Sequence, residues 1–345
     1  MNERFQIMLD WLQSLPILQG CEVTNPVSAS SDASFRRYFR IEAKNASGQN
    51  SYIIMDAPVE HEDCRQFIAV SEQLVKMGLT VPEVLAQDLT QGFLLLTDLG
   101  STTYLSVLEQ AEESTVDSLY SDALEALVLL QTKGNDAAQN LPAYDESLLT
   151  TEMSLFSDWL LSTHLEVGLN KLENQAWQSV QNTLIKSALK QPQVYVHRDY
   201  HSRNLMVLDE ANPGILDFQD AVKGPLTYDA VSMLRDCYIA WPEAQVVEWQ
   251  RNYFLQLCQQ NMMHRDEWSG FQKSMDLMGI QRHLKASGIF ARLFHRDGKE
   301  GYLNDIPLTL DYLVKVGAKY SEMTSLVDLV ESKVLPKIST INQAK

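Results

Sequence analysis

The sequence predicts an α+β chain in two lobes, a strand-rich lobe over residues 1–98 and a mainly helical lobe over residues 99–345. Three observations carry that reading. Short alternating runs of β-branched and aromatic residues, separated by turn residues, fill the first hundred positions. Beyond Leu99 the apolar residues recur mostly at helical spacing. One strand-rich island, from Gln193 to Asp220, interrupts those helices.

In chain order, MNERFQIMLDWLQSL reads as an amphipathic helix. Residues 22–28 and 35–43 (FRRYFRIEA) read as two strands flanking the small polar loop SASSDAS, and NASGQN is a turn into a third strand, SYIIMDA. Phe67, Val70, Leu74 and Met77 then recur at helical spacing, with Gly78 where a C-terminal cap glycine belongs. The strands VPEVLAQD and FLLLTDL complete a five-stranded antiparallel sheet carrying one inserted helix, and TDLGST at 97–102 is the connector between lobes. Helical periodicity covers 103–133 and 150–190, with a loop at 134–142, and resumes near Asp229.

The charge balance of this 345-residue chain is acidic: 28 Lys+Arg against 45 Asp+Glu give a net charge of −17. A surface that tracks nucleic acid needs a basic stripe, so no nucleic-acid partner is expected, and an anionic ligand must be met by locally clustered arginines. Cys21, Cys64, Cys237 and Cys258 form no CxxC pair and no metal-ligand spacing, which disfavours a disulfide framework or structural zinc. No run approaches 18 uncharged apolar residues and no signal-peptide pattern opens the chain, so the expectation is a cytoplasmic protein with no membrane partner. Oligomeric state is not legible.

The chemistry concentrates in the island. His197, Asp199 and Asn204 form His-x-Asp-x-x-x-x-Asn, and Asp217 follows as Asp-Phe. Phosphoryl transfer gives each part a role, with a carboxylate to take the acceptor hydroxyl's proton, and an amide oxygen plus a second carboxylate to hold Mg²⁺ on the phosphates. Asp199, Asn204 and Asp217 fit these roles in order, with Asn204 and Asp217 as the metal ligands.

This pattern resembles the catalytic loop and metal-binding Asp of the kinase fold, with DFQ for the usual DFG. The chain resembles the aminoglycoside phosphotransferase and choline kinase superfamily over nearly its whole length, most specifically from Val196 to Asp236. That resemblance implies a two-lobed protein-kinase-like fold, ATP and Mg²⁺ as cofactors, and a small-molecule acceptor. Two features separate it from protein kinases: His201 stands at the catalytic-loop Lys position, and Gly224-Pro225 begins only seven positions after Asp217, which leaves no peptide-docking segment. SDASFRRYFR, IIMDAP, LLLTDLGSTTYL, HRDYHSRNLM, DAVSMLRDCY and QRHLKASGIFARLFHRDGKEGYLNDIP are similar to a bacterial branch of anomeric sugar kinases. Members of that branch phosphorylate C1 of N-acetylmuramate and N-acetylglucosamine in peptidoglycan recycling. A different acceptor, such as an aminoglycoside, choline or a homoserine-like alcohol, and a non-catalytic nucleotide-binding pseudokinase are the rival readings.

The chain departs from the kinase pattern at the nucleotide. It has no G-x-G-x-x-G loop; Ser31, Asp32, Ala33 and Ser34 are small enough for backbone N–H groups to approach phosphates. Met55 stands near the strand-three Lys position, so the cation must come from Arg36 or Arg37, which alternation sends to opposite faces; we assign Arg36. Glu60, Glu62, Asp63 and Glu72 are left without a role. By resemblance, the backbone of Thr97, Asp98 and Leu99 meets adenine. On the acceptor side, Arg203, Arg235 and Arg292 are expected at the sugar, with Arg282, Arg296, His283 and Asp305 nearby, and Asp229 is expected to brace the catalytic loop.

Overall fold

The computed structural model describes residues 3–30 and 35–343. Its strands are β1 (Glu22–Val23), β2 (Val27–Ser30), β3 (Arg37–Asn45), β4 (Gly48–Asp56), β5 (Val84–Asp88), β6 (Phe93–Thr97), β7 (Gln193–Val196), β8 (Leu205–Met206), β9 (Gly214–Ile215) and β10 (Val222–Pro225). Packing divides the chain into one unit of Met1–Tyr104 with Asn204–Gln219 and another of Leu105–Arg203 with Asp220–Lys345.

The first unit is built on an antiparallel sheet in the order β1-β3-β4-β6-β5, with β2 also paired to β3. The single strand expected over 22–28 is two short ones, because Pro26 lacks the N–H that a continuous ladder needs. The β3–β4 hairpin runs from Arg37↔Asp56 to Asn45↔Gly48, and the Asn45 side chain closes its turn by accepting from the Ser47 N–H at 2.8 Å. Strand β6 reads as an unbroken apolar run because Phe93, Leu94, Leu95 and Leu96 are all buried, whichever face they point to. Helix α1 (Glu3–Ser14) and the residues after it lay Met8, Leu12, Leu15 and Leu18 on Ile41, Ala43, Ile54, Phe93 and Leu95. Each such fully buried side chain contributes about 1.5–3 kcal/mol.

Helix α2 (Cys64–Met77) is capped by Asp63, which accepts from the Arg65 N–H, and ends on Gly78 at φ +90°, as its sequence predicts. Asp56 is fully buried at the end of β4 and takes Arg4 Nε at 2.7 Å and both Arg37 Nε, at 3.1 Å, and Arg37 Nη2. A buried carboxylate needs such partners, and this pair ties α1 to the sheet.

The hairpin β8–β9 belongs by packing to this first unit, although the sequence places it in the helical lobe. Long-range contacts decide this. Ile215 N–H donates to Thr80 O at 2.8 Å, Val207 N–H to Thr102 O at 2.9 Å and Gln66 Nε2 to Gln219 O at 2.7 Å, while Phe218 packs on Phe67 of α2 with ring centroids 4.8 Å apart. For the same reason the division falls at Tyr104, not at Leu99.

The second unit is helical: α3 (Tyr104–Leu108, at its edge), α4 (Glu113–Lys133), α5 (Asn135–Ala138), α6 (Glu146–Leu155) running into a π-helix over Phe156–His164, α7 (Lys171–Lys190), α8 (Tyr228–Leu234), α9 (Glu243–Gln259), α10 (Trp268–Asp297), α11 (Ile306–Gly317), α12 (Thr324–Leu329) and α13 (Leu335–Gln343). Helix α10 is buried on all sides from Met275 to Gly288, which makes it the axis of this unit. Gly288 permits its crossing with α6: a Cβ there would stand 2.2 Å from the Leu155 carbonyl carbon. Strands β7 and β10 pair antiparallel and carry the chain into and away from the island. No helix among the described residues is long and apolar enough to cross a membrane.

Candidate active site

Each unit builds its own constellation. In the first, β8 and β9 pair through Leu205↔Ile215, so Asn204 and Asp217 flank the same end of a two-stranded hairpin, and Leu216 N–H donates to Asn204 O at 2.9 Å. Thirteen residues of sequence separation are thereby closed. Asp217 sits at φ +61°, a left-handed conformation that Asp tolerates better than most residues. Gln219 fills the place of the usual glycine; its Nε2 donates to Asp217 Oδ1 at 2.7 Å, and its buried Oε1 has no hydrogen-bond partner among the described residues. The Asn204 amide oxygen and the Asp217 carboxylate are hard donors of the kind Mg²⁺ takes, and the orphaned Gln219 oxygen lies on the residue hydrogen-bonded to Asp217.

Arg36 pairs with Glu62 at 2.7 Å, both side chains largely buried. Glu62 precedes α2, so one of the acids left without a role meets the cation assigned to the nucleotide. Arg37, as alternation requires, goes elsewhere, to Asp56. Ser31, Asp32, Ala33 and Ser34 lie outside the described residues. At the connector, Thr97 N–H donates to Glu83 O at 3.0 Å, which withdraws that donor from an adenine edge. The Asp98 carboxylate is gripped by Arg40 at 2.6 and 2.9 Å, by the Ser51 hydroxyl and by Gly100 N–H. Burial pushes this carboxyl up, but these donors win and hold it below its ordinary range. Its side chain therefore shapes the connector.

In the second unit, the catalytic loop leaves β7 at His197 and is held by two buried carboxylates. Asp229 of α8 accepts from His197 N–H at 2.6 Å and Arg198 N–H at 3.0 Å, the bracing role its sequence position suggested. Asp236 accepts from Ser202 N–H at 2.9 Å. Between them Arg198 adopts φ +77°, and this turn presents Asp199. Burial alone would push the Asp199 carboxyl up; Lys285, His201, Arg282 and His197 more than offset it and hold Asp199 ionised.

Lys285 and Arg282 come from α10 and form a buried network that sequence reading missed in part. Lys285 Nζ lies 2.9 Å from Glu152 Oε1 and 2.9 Å from the Tyr228 hydroxyl. Arg198 Nη2 meets the same Glu152 oxygen at 2.7 Å, and Arg282 Nη1 reaches the Tyr228 hydroxyl at 3.1 Å. The i, i+3 spacing of Arg282 and Lys285 was a signal that both lie on one side of a helix.

The expected acceptor arginines separate. Arg235, 3% exposed, forks onto Glu243 at 2.9 and 2.9 Å and lies 3.6 Å from Asp276, so it is an internal ion pair and not a sugar contact. Arg292 is half-buried on α10, its charge disfavoured by burial and by Arg296. Arg203 lies face-on to Tyr238, its guanidinium carbon 3.6 Å from the ring centre, with 40% of its side chain exposed.

Against known proteins, the model of the phosphotransferase enzyme family matches residues 27–268. The chain is 45% identical over 338 residues to the N-acetylmuramate/N-acetylglucosamine kinase of Pseudomonas aeruginosa, covering 96% of this chain and 97% of that one. It is 38% identical to the protein of the same name from Neisseria meningitidis, covering 93% of each. Among solved structures, an ethanolamine kinase of Plasmodium vivax superposes with a TM-score of 0.61 at 13% identity, over 96% of this chain and 90% of that one. A choline kinase of Streptococcus pneumoniae gives 0.58 at 13% identity, over 91% and 99%. These superpositions agree with the two-lobed kinase-like fold.

Proposed function

This chain belongs to the phosphotransferase enzyme family, and on that premise we propose that it transfers the γ-phosphoryl group of ATP to the anomeric hydroxyl of N-acetylmuramate and N-acetylglucosamine. One observation carries the substrate class: 45% identity spans nearly the whole chain, the acceptor-side loops as well as the nucleotide side.

Asp199 orients the C1 hydroxyl and takes its proton as the hydroxyl oxygen bonds to the γ-phosphorus. The bond from that phosphorus to the β–γ bridging oxygen breaks, leaving ADP and a sugar 1-phosphate, and the proton passes from Asp199 to water. A carboxylate held ionised suits a loose transition state, in which the proton leaves late and alignment matters most. Asn204 and Asp217 would hold Mg²⁺, which neutralises phosphate charge when bound. Arg36, aimed by Glu62, supplies the cation that strand three lacks, and the backbone at Asp98 and Leu99 meets adenine.

The test is ADP release from Mg-ATP with N-acetylmuramate, N-acetylglucosamine, kanamycin, choline and homoserine. Turnover is expected only with the two amino sugars, with the new phosphorus resonance at C1. Turnover of kanamycin or choline instead would reassign the acceptor, and ATP binding with no turnover of any acceptor would favour a scaffold. For the nucleotide side, Arg36→Ala is expected to lower kcat/KM for ATP by about 10²-fold and Glu62→Ala by about 10-fold. Unchanged ATP kinetics in both variants would place the cation elsewhere.

A further inference from the structure

Of the acceptor-side arginines, Arg203 is the one seated among aromatic rings and posed to read a carboxylate. Arg235 is occupied by Glu243 and Asp276, Arg282 by the Tyr228 hydroxyl, and Arg296 forks onto its neighbour Asp297 at 2.9 and 2.9 Å. Arg292 is one helical turn from Gly288 and so shares the face of α10 that lies against Leu155. Phe290, two residues away, is turned about 200° from it around the helix.

The Phe290 side is where Arg203 lies. Its guanidinium carbon is 3.6 Å from the Tyr238 ring centre and 5.6 Å from that of Tyr302, and Tyr302 stacks on Phe290 with centroids 5.6 Å apart. Tyr238 also packs edge-on against His201, two residues past Asp199. Arg203 also pairs with Asp305, but at 3.8 Å, too long for the hydrogen bonds that Glu243 makes to Arg235. A guanidinium stacked over a ring presents its N–H edge outward in its own plane, the geometry that takes a carboxylate in bidentate fashion. The aromatic side chains beside it suit the C–H face of a pyranose.

We infer that Arg203 is the specificity residue for acidic acceptors: it binds the lactyl carboxylate of N-acetylmuramate, a group N-acetylglucosamine lacks. This rests on the amino-sugar reading above.

The test compares kcat/KM for N-acetylmuramate and for its uncharged methyl ester, in wild type, Arg203→Ala, Arg203→Gln and Arg203→Lys, with N-acetylglucosamine as a third acceptor. Wild type is expected to prefer the acid over the ester by about 30-fold, chiefly through KM, because the ester forfeits a charge-assisted pair. In Arg203→Ala and Arg203→Gln the preference falls to within about 3-fold, and Arg203→Lys lies between. The ratio compares two acceptors on one protein sample, so a partly unfolded variant does not distort it. Should Arg203→Ala not fold, Arg203→Gln gives the same comparison. A wild type that turns over N-acetylglucosamine but treats acid and ester alike overturns this inference alone, as does a preference surviving in Arg203→Ala. A wild type silent with both amino sugars overturns the amino-sugar reading and this inference with it.

Discussion

Asp217→Ala is expected to abolish turnover, a loss of at least about 10³-fold in kcat, while the protein still melts cooperatively. The carboxylate lies two residues past β9, at the same end of the two-stranded hairpin as Asn204, and no other acid among the described residues joins it in a cluster of three. On the proposed assignment, Asn204 and Asp217 would leave the rest of a Mg²⁺ shell to phosphate and water, so neither would be dispensable. The alanine variant also carries a structural cost. Alanine tolerates φ +61° less well than Asp, and the Gln219 amide, which donates to Asp217 Oδ1, is left buried without its acceptor. Together these amount to about 1–3 kcal/mol.

Asp217→Asn separates the two effects. Asn tolerates the left-handed backbone and its Oδ1 still accepts from Gln219, so its melting temperature is expected to stay within a few degrees of wild type. It lacks the charge that draws Mg²⁺, so its activity should fall nearly as far as that of Asp217→Ala and recover partly at high Mg²⁺. Near-wild-type turnover in a folded Asp217→Asn or Asp217→Ala protein removes the metal assignment.

What was legible in the sequence is what short-range chemistry determines. Gly78 ends α2 because a left-handed residue is needed there, Asn45 closes its turn with its own side chain, and the apolar run of β6 announces a strand covered on both faces. The four-point pattern was legible because phosphoryl transfer fixes residue types at fixed spacing. Partnerships were not. Arg235 looked like a ligand because nothing local reveals Asp276, 41 positions on, and Lys285 looked like any helical lysine because its burial is decided by Glu152 on another helix. The allegiance of the β8–β9 hairpin likewise depends on Thr80, Thr102 and Phe67, all about a hundred residues or more away.

Glu152→Gln should destabilise the protein by about 3–5 kcal/mol at neutral pH, since it leaves Lys285 and Arg198 as buried cations without their shared carboxylate. At about 2–4 °C per kcal/mol, the apparent melting temperature falls by roughly 10 °C. Lys285→Met on the same background should recover part of the loss, because it removes one of the stranded charges; a double variant as unstable as the sum of the singles would argue against a shared network. The pH dependence has a definite sign. Burial pushes the Glu152 carboxyl up, yet Lys285, Arg198 and the Tyr144 hydroxyl bring it from 4.5 down to about 2. A depressed carboxyl stabilises the fold fully above its unfolded pKa and progressively loses that contribution as pH falls toward the folded value. The melting gap between wild type and Glu152→Gln should therefore be constant from pH 7 to about 5 and narrow below 4.5, as wild-type Glu152 takes up its proton. Activity should fall further than stability at neutral pH, because Arg198 holds the strained turn that presents Asp199 and Lys285 is foremost among the cations that keep Asp199 ionised. A gap that stays constant down to about pH 3.5 would mean that Glu152 does not act as the charged partner of these two cations.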